Sequence, residues 1–132
     1  MDITGISQKA VILNPEGKFL IIHRTSDAPS NPNMWDLPGG GLDFGEDATT
    51  GIAREIKEET CLEVNNVCPF DVESHINRVG KFWVTICYKC DLCSDCVKLS
   101  CEHDDFKWVT EQEFFDLPAS KKIRRFISNL KK

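Results

Sequence analysis

Residues 40–62 read Gly40-Gly41-Leu42-Asp43-Phe44-Gly45-Glu46-Asp47-Ala48-Thr49-Thr50-Gly51-Ile52-Ala53-Arg54-Glu55-Ile56-Lys57-Glu58-Glu59-Thr60-Cys61-Leu62. From about Asp47 to Thr60 the apolar residues Ala48, Ile52 and Ile56 recur at every fourth position, the spacing of a helix with one face on a core. Each helical residue turns the chain by about 100°, so Glu55, Glu58 and Glu59 fall within an arc of roughly 100° beside that apolar stripe. Three carboxylates this close repel one another, and like charges one turn apart weaken a helix. Lys57 points elsewhere and does not neutralise them. A solvated helix face would merely tolerate the repulsion. A hard divalent cation would convert it into affinity, because such ions take oxygen ligands, magnesium commonly one or two carboxylates with water and substrate phosphate.

The flanking sequence frames this helix. Upstream, Ile6 to Leu13 and Phe19 to His23 are apolar, β-rich runs separated by the turn chemistry of Asn14-Pro15-Glu16-Gly17, and together they predict a hairpin. Thr25 to Asn33 is polar with two prolines and reads as a loop. Trp35-Asp36-Leu37 predicts a short strand entering Pro38-Gly39-Gly40-Gly41, which cannot be helical. Downstream, Leu62 to Ile76 and Lys81 to Leu92 predict two long strands joined at Asn77-Arg78-Val79-Gly80, and Phe106 to Val109 a short one. Thr110 with Glu113 three residues later can start a helical turn. Ala119 to Leu130 is amphipathic, with Ile123, Phe126, Ile127 and Leu130 on one side. Strands in hairpins interleaved with two or three helices favour a mixed sheet with helices on its faces.

Composition narrows the class. The chain has 132 residues, room for one domain spanning 1–132. With 41% hydrophobic and 28% charged residues it has ordinary globular proportions. No apolar run approaches the roughly 20 residues of a membrane-spanning helix. The start Met1-Asp2-Ile3-Thr4-Gly5 suggests no export, so a cytoplasmic protein is expected. A net charge of −5 argues against general binding of nucleic-acid polymers, yet a small phosphorylated ligand can be held where a cation supplies positive charge locally.

Residues 40–62 resemble the Nudix box, G-x5-E-x7-R-E-U-x-E-E-x-G-U, with U a bulky aliphatic residue. Gly40, Glu46, Arg54, Glu55, Ile56, Glu58, Glu59 and Leu62 match, and Cys61 stands where the family has its last glycine. Leu37-Pro38-Gly39-Gly40 also looks like the usual approach to that box. The resemblance, to MutT-like Nudix hydrolases, implies an α/β/α sandwich with a mixed central β-sheet. It implies a magnesium or manganese site with Glu55, Glu58 and Glu59 as ligands, the Gly39 carbonyl as a further one, and Arg54 orienting the carboxylates. Glu46 resembles the position that supports the loop-helix geometry or an outer metal contact. At Cys61, a β-carbon in the left-handed conformation that glycine tolerates costs roughly 1 kcal/mol, so reduced stability is expected before lost activity.

Other residues carry two readings each. Glu102 resembles the downstream glutamate that binds metal or serves as base in several relatives, and is otherwise an exposed loop residue; Glu58, Glu59 and Glu102 compete as the general base. Arg24 resembles an arginine that meets substrate phosphate, against a surface salt bridge. His23 reads as structural, and Trp35 and Trp108 as core more than base-stacking groups. Cys87, Cys90, Cys93 and Cys96 sit at x2 intervals with Cys101 beyond, a spacing that suggests zinc or an iron-sulfur site. Against that, a strand places Cys87 and Cys90 on opposite faces, so a chance cluster or adventitious zinc is the plainer reading, and reduced thiols suit a cytosol. The basic tail, Lys121, Lys122, Arg124, Arg125, Lys131 and Lys132, reads as the solvated side of a terminal helix.

The expected activity is hydrolysis of a diphosphate linkage in a nucleoside diphosphate joined to another group, with a slight preference for (deoxy)nucleoside triphosphates. ADP-ribose or dinucleoside polyphosphates are alternative substrates. A non-catalytic nucleotide-binding module and a cysteine-metal protein are the rival classes. Many relatives of this kind dimerise, although no segment here marks an interface.

Overall fold

In the computed structural model, which describes residues 4–94 and 96–130, strand β1 (Thr4–Leu13) and strand β2 (Phe19–Arg24) alternate their apolar side chains between two faces. Val11, Phe19 and Ile21 enter one buried cluster; Ala10, Ile12, Leu20 and Ile22 enter another. That is the period of two of an extended chain, and a sheet apolar on both faces needs a layer over each. The sheet is completed by β3 (Trp35–Asp36), β4 (Val64–Ile76), β5 (Phe82–Leu92) and β6 (His103–Val109). Helix α1 (Ala48–Thr60) covers one face with Ile52 and Ile56. Helices α2 (Glu111–Phe115) and α3 (Lys121–Ser128) cover the other with Phe114, Ile123, Phe126 and Ile127. Each of these large apolar side chains contributes about 1.5–3 kcal/mol on full burial.

The strand order is β3-β2-β1-β5-β4, with β6 on the other edge of β2. β1 runs parallel to β5 from Thr4↔Phe82 to Leu13↔Asp91, while the remaining pairings are antiparallel, so the sheet is mixed. This is the α/β/α arrangement expected.

The predicted β1–β2 hairpin forms only at its turn, where Leu13 pairs with Phe19. Beyond that point the two strands part. β3 pairs with the far end of β2, and the glycine-rich segment after it bonds to β1 instead: Ala10 N–H donates to the Pro38 carbonyl, Gln8 N–H to Gly40 and Leu42 N–H to Ile6, each at 2.9 Å. Two strand limits also shift. β4 begins at Val64 because Cys61 to Glu63 are used in leaving α1, and β6 reaches back to His103, giving β2 a neighbour along its length.

Helix α1 starts at Asp47, whose carboxylate accepts the Thr50 N–H at 3.1 Å, and ends at Cys61 in the left-handed region with φ 63°. α2 carries the predicted capping pair, with Thr110 N–H donating to Glu113 Oε1 at 2.9 Å and Glu113 N–H to Thr110 Oγ1 at 3.2 Å. The terminal basic residues are not simply a solvated face. Arg124 donates to the Leu117 carbonyl at 2.8 Å, Arg125 to the Val72 carbonyl at 2.8 Å, and Lys122 is half-buried with its amine 3.3 Å from Thr85 Oγ1. Arg124 and Arg125 thus tie the helix to its neighbours through these carbonyls. Lys131 and Lys132 fall outside the described residues, as do Met1-Asp2-Ile3 and Asp95. Among the described residues no helix is long and apolar enough to cross a membrane.

Candidate active site

The segment Pro38–Leu42, wedged between β1 and β2, brings backbone up to the acidic stripe of α1. Gly39 has φ 140°, and a β-carbon there would run into the Gln8 carbonyl, so only glycine permits this approach. Its N–H donates to Glu59 Oε1 at 2.8 Å. At Gly40 an added β-carbon would lie 2.7 Å from Glu55 Oε2, which shows how closely that carboxylate rests on the turn.

Arg54 organises the rest. Its Nε donates to Glu46 Oε2 at 2.6 Å and its Nη2 to Glu46 Oε1 at 2.9 Å, a two-pronged contact; Nη1 meets Glu55 Oε1 at 3.2 Å and Glu58 Oε2 at 3.0 Å. Hydrogen bonding from Arg54 is the main reason the Glu46 carboxyl is held below its ordinary range, and the same contacts keep the guanidinium firmly protonated. Burial raises Glu55, with Arg54 pulling the other way. Burial pushes Glu59 up to about 7, against the opposing pull of Lys9 and the Gly39 N–H.

Glu55, Glu59, Gly39, Gly40 and Gly41 line an open cleft of about 610 Å³. Arg24 and Glu102 line it too, Glu102 immediately before β6. Glu58 does not; one turn along from Glu55, its side chain is half exposed and turned to Arg54. Arg24 holds the Ser30 carbonyl through Nε at 2.8 Å and stands 3.6 Å from Asp36, and both side chains of that pair are largely covered, so it is not the surface salt bridge that was one expectation.

The sequence reading missed several residues of the cleft. Lys9 donates to Asp36 at 2.9 Å and to the Leu37 carbonyl at 3.2 Å. Burial works to raise Asp36, but the charge and hydrogen bond of Lys9 outweigh it and the carboxyl is lowered. A lysine inside the apolar strand Lys9-Ala10-Val11-Ile12-Leu13 was the available signal. Lys122, Trp83, His75 and Asn77 also line the cleft, and no local pattern marks them. Trp35 is core, edge-on to His23 at 4.9 Å, and His23 is occupied by Asp104 at 2.6 Å. Trp108 lies against the α1-side cluster.

The donor set suits a hard cation: carboxylate oxygens, two of them with burial-raised pKa values, and a guanidinium already standing among Glu46, Glu55 and Glu58 as a positive charge. The side chains do not by themselves form a closed cage. Among the described residues no three His, Cys, Asp or Glu groups converge as a complete metal site. Magnesium does not require one, since it keeps waters and completes its shell with substrate phosphate. The cysteines do not converge either. Cys87 and Cys90 are buried in opposite core clusters, burial pushing the Cys90 thiol up to about 12, while Cys93, Cys96 and Cys101 are exposed.

A mixed sheet between helical layers, with a glutamate-striped helix set against a glycine turn, is the Nudix architecture. The NUDIX domain profile matches residues 4–130, and the chain belongs to that family. It is 29% identical over 127 residues to Nudix hydrolase 7 of Arabidopsis thaliana, covering 92% of this chain and 45% of that protein, so it spans less than half of that relative. It is 27% identical over 124 residues to the nucleoside triphosphatase NudI of Enterobacter sp. (strain 638), covering 86% of this chain and 87% of that one. The MutT protein from Methanosarcina mazei Go1 superposes with a TM-score of 0.80 at 27% identity, over 98% of this chain and 94% of that chain.

Proposed function

We propose that this protein is a magnesium- or manganese-dependent hydrolase that cleaves a diphosphate linkage in a nucleoside diphosphate joined to another group, with (deoxy)nucleoside triphosphates as the favoured class. The observation that carries the reading is the acidic stripe of α1: Glu55 and Glu59 line the cleft with the Gly39–Gly41 backbone, and Glu58, next to them on the helix, is bound to Arg54. The near full-length correspondence with a nucleoside triphosphatase supports the choice of substrate class.

Glu55, Glu58, Glu59 and Glu102, with the Gly39 carbonyl, would hold the cation. When bound, it supplies a Lewis acid for the phosphoryl oxygens and eases deprotonation of water. Arg54 fixes the carboxylates so that they need not reorganise during turnover. Arg24 meets a substrate phosphate. One of Glu58, Glu59 or Glu102 accepts the proton as water oxygen bonds to phosphorus and the bridging P–O bond breaks.

The test is a hydrolysis screen with magnesium and with manganese, across canonical and oxidised nucleoside triphosphates, ADP-ribose and diadenosine polyphosphates. Metal-dependent release of pyrophosphate or phosphate from the triphosphates is expected. Calorimetric nucleotide binding with no product from any substrate would make the protein a binding module instead.

A further inference from the structure

Three cationic side chains line the cleft together with its carboxylates, and two of them are committed within the fold. Lys9 is paired with Asp36, and Arg24 is divided between Asp36 and the Ser30 carbonyl. Lys122 differs. Its amine is half-buried, and its hydrogen-bond partner among the described residues is a neutral hydroxyl, Thr85 Oγ1, at 3.3 Å. Thr85 is itself buried and braced by Ser7, Oγ to Oγ1 2.6 Å. No carboxylate of the described residues lies within ion-pair distance of this lysine.

The position is costly for a cation in three ways. Burial strips water from the ammonium and Lys9 repels it, and together these outweigh the attraction of Asp36 and Glu73, neither of them in ion-pair contact, so the Lys122 pKa is lowered. It also stands in the first turn of α3, where the helix presents the positive end of its dipole. A half-desolvated lysine with no carboxylate in ion-pair contact costs the fold stability. An anion arriving in the cleft would offset all three penalties, whereas a neutral acceptor would offset them only in part.

We propose that Lys122 is a substrate-binding residue, presented by α3 and aimed by Thr85 and Ser7, that takes an oxygen of a substrate phosphate lying away from the carboxylate stripe. The inference rests on the diphosphate-hydrolase reading and deepens it. One wall of the cleft handles the scissile phosphoryl group, and Lys122 supplies a charged contact to the next phosphate along the chain. Such a contact favours polyphosphate substrates over those in which a sugar follows the diphosphate directly.

The experiment compares wild type with Lys122→Met and Lys122→Arg on the best nucleoside triphosphate, alongside calorimetric binding of inorganic tripolyphosphate in the presence of magnesium. Loss of a hydrogen bond to a charged group corresponds to roughly tenfold to a hundredfold. K122M is expected to raise KM and weaken tripolyphosphate binding by that factor, with kcat within about twofold and a shallower dependence of KM on ionic strength. K122R is expected to retain both. The melting temperature of K122M should equal or exceed that of wild type, so misfolding would not account for the loss. Unchanged KM and tripolyphosphate affinity in K122M, or a parallel fall in kcat and melting temperature, overturns the assignment. If wild type hydrolyses no diphosphate but still binds tripolyphosphate through Lys122, the activity reading fails and the phosphate contact stands.

Discussion

Arg54 grips Glu46 across the entrance to α1 with two hydrogen bonds, 2.6 Å from Nε and 2.9 Å from Nη2, and its remaining nitrogen reaches Glu55 and Glu58. One side chain therefore sets both the loop that precedes the helix and the carboxylates on it. Lysine keeps the charge but has no planar fork. Arg54→Lys is expected to lower kcat/KM by about 10- to 100-fold, the usual effect of disturbing groups that orient metal ligands, while melting shifts little. Steady-state kinetics and a thermal melt on the same preparation decide it.

Glu58 gives a cleaner separation between structure and chemistry. Its side chain is 54% exposed and bonded to Arg54, and a surface pair of that kind is worth about 0–1 kcal/mol. Glu58→Gln should leave the unfolding midpoint nearly unchanged. Turnover should fall by about 10²–10⁴-fold, the range for removal of a group acting directly on the reaction. Unaltered metal-dependent hydrolysis in this variant would show that the stripe is ordinary surface.

Glu59 predicts a pH dependence with a definite sign. Its carboxyl is raised by burial from 4.5 to about 7, so between those values the folded metal-free chain binds more proton there than the unfolded chain does. Stability from this group is therefore lost as pH rises through that window, by at most about 3 kcal/mol. Glu55 is raised for the same reason and acts in the same direction. In chelator-treated protein, the Glu59→Gln variant should gain stability relative to wild type between pH 5 and 8. Magnesium, which competes with the proton, should stabilise wild type more at pH 8 than at pH 5. Denaturant melts at the two pH values, with and without the metal, read both effects.

Cys61 sits at φ 63°, its N–H bonded to the Lys57 carbonyl at 2.9 Å, in the conformation that favours glycine at a helix end. Cys61→Gly should stabilise the protein by about 1 kcal/mol, offset slightly by the freer unfolded chain, with kcat and KM unchanged. Equilibrium unfolding of the two forms is sufficient to test it.

The parts of the molecule legible in the sequence are those set by local rules. The fourfold spacing of Ala48, Ile52 and Ile56 placed α1, alternation placed β1 and β2, and the Thr110–Glu113 pair placed α2. The glutamate stripe followed from helix geometry alone. What escaped was non-local. Nothing in Trp35-Asp36-Leu37-Pro38-Gly39 states that the following glycines will displace β2 from β1. That outcome depends on the Gln8 and Ala10 amides lying in reach of the Pro38 and Gly40 carbonyls. Lys122 was likewise read as solvated because the period of α3 shows which face is apolar, not what stands opposite its first turn. Its neighbour Thr85 is 37 residues away in sequence.

The parallel pairing of β1 with β5 has a consequence for biosynthesis. β1 finds its central neighbour β5 only after Leu92 has been made, and the intervening strand β2 touches it at the turn alone. Until then β1 presents an open, apolar edge, and contacts of such sequence separation close slowly. Nascent chains stalled before residue 82 should therefore be protease-sensitive and prone to cling to one another, and protection should appear abruptly once β5 has emerged.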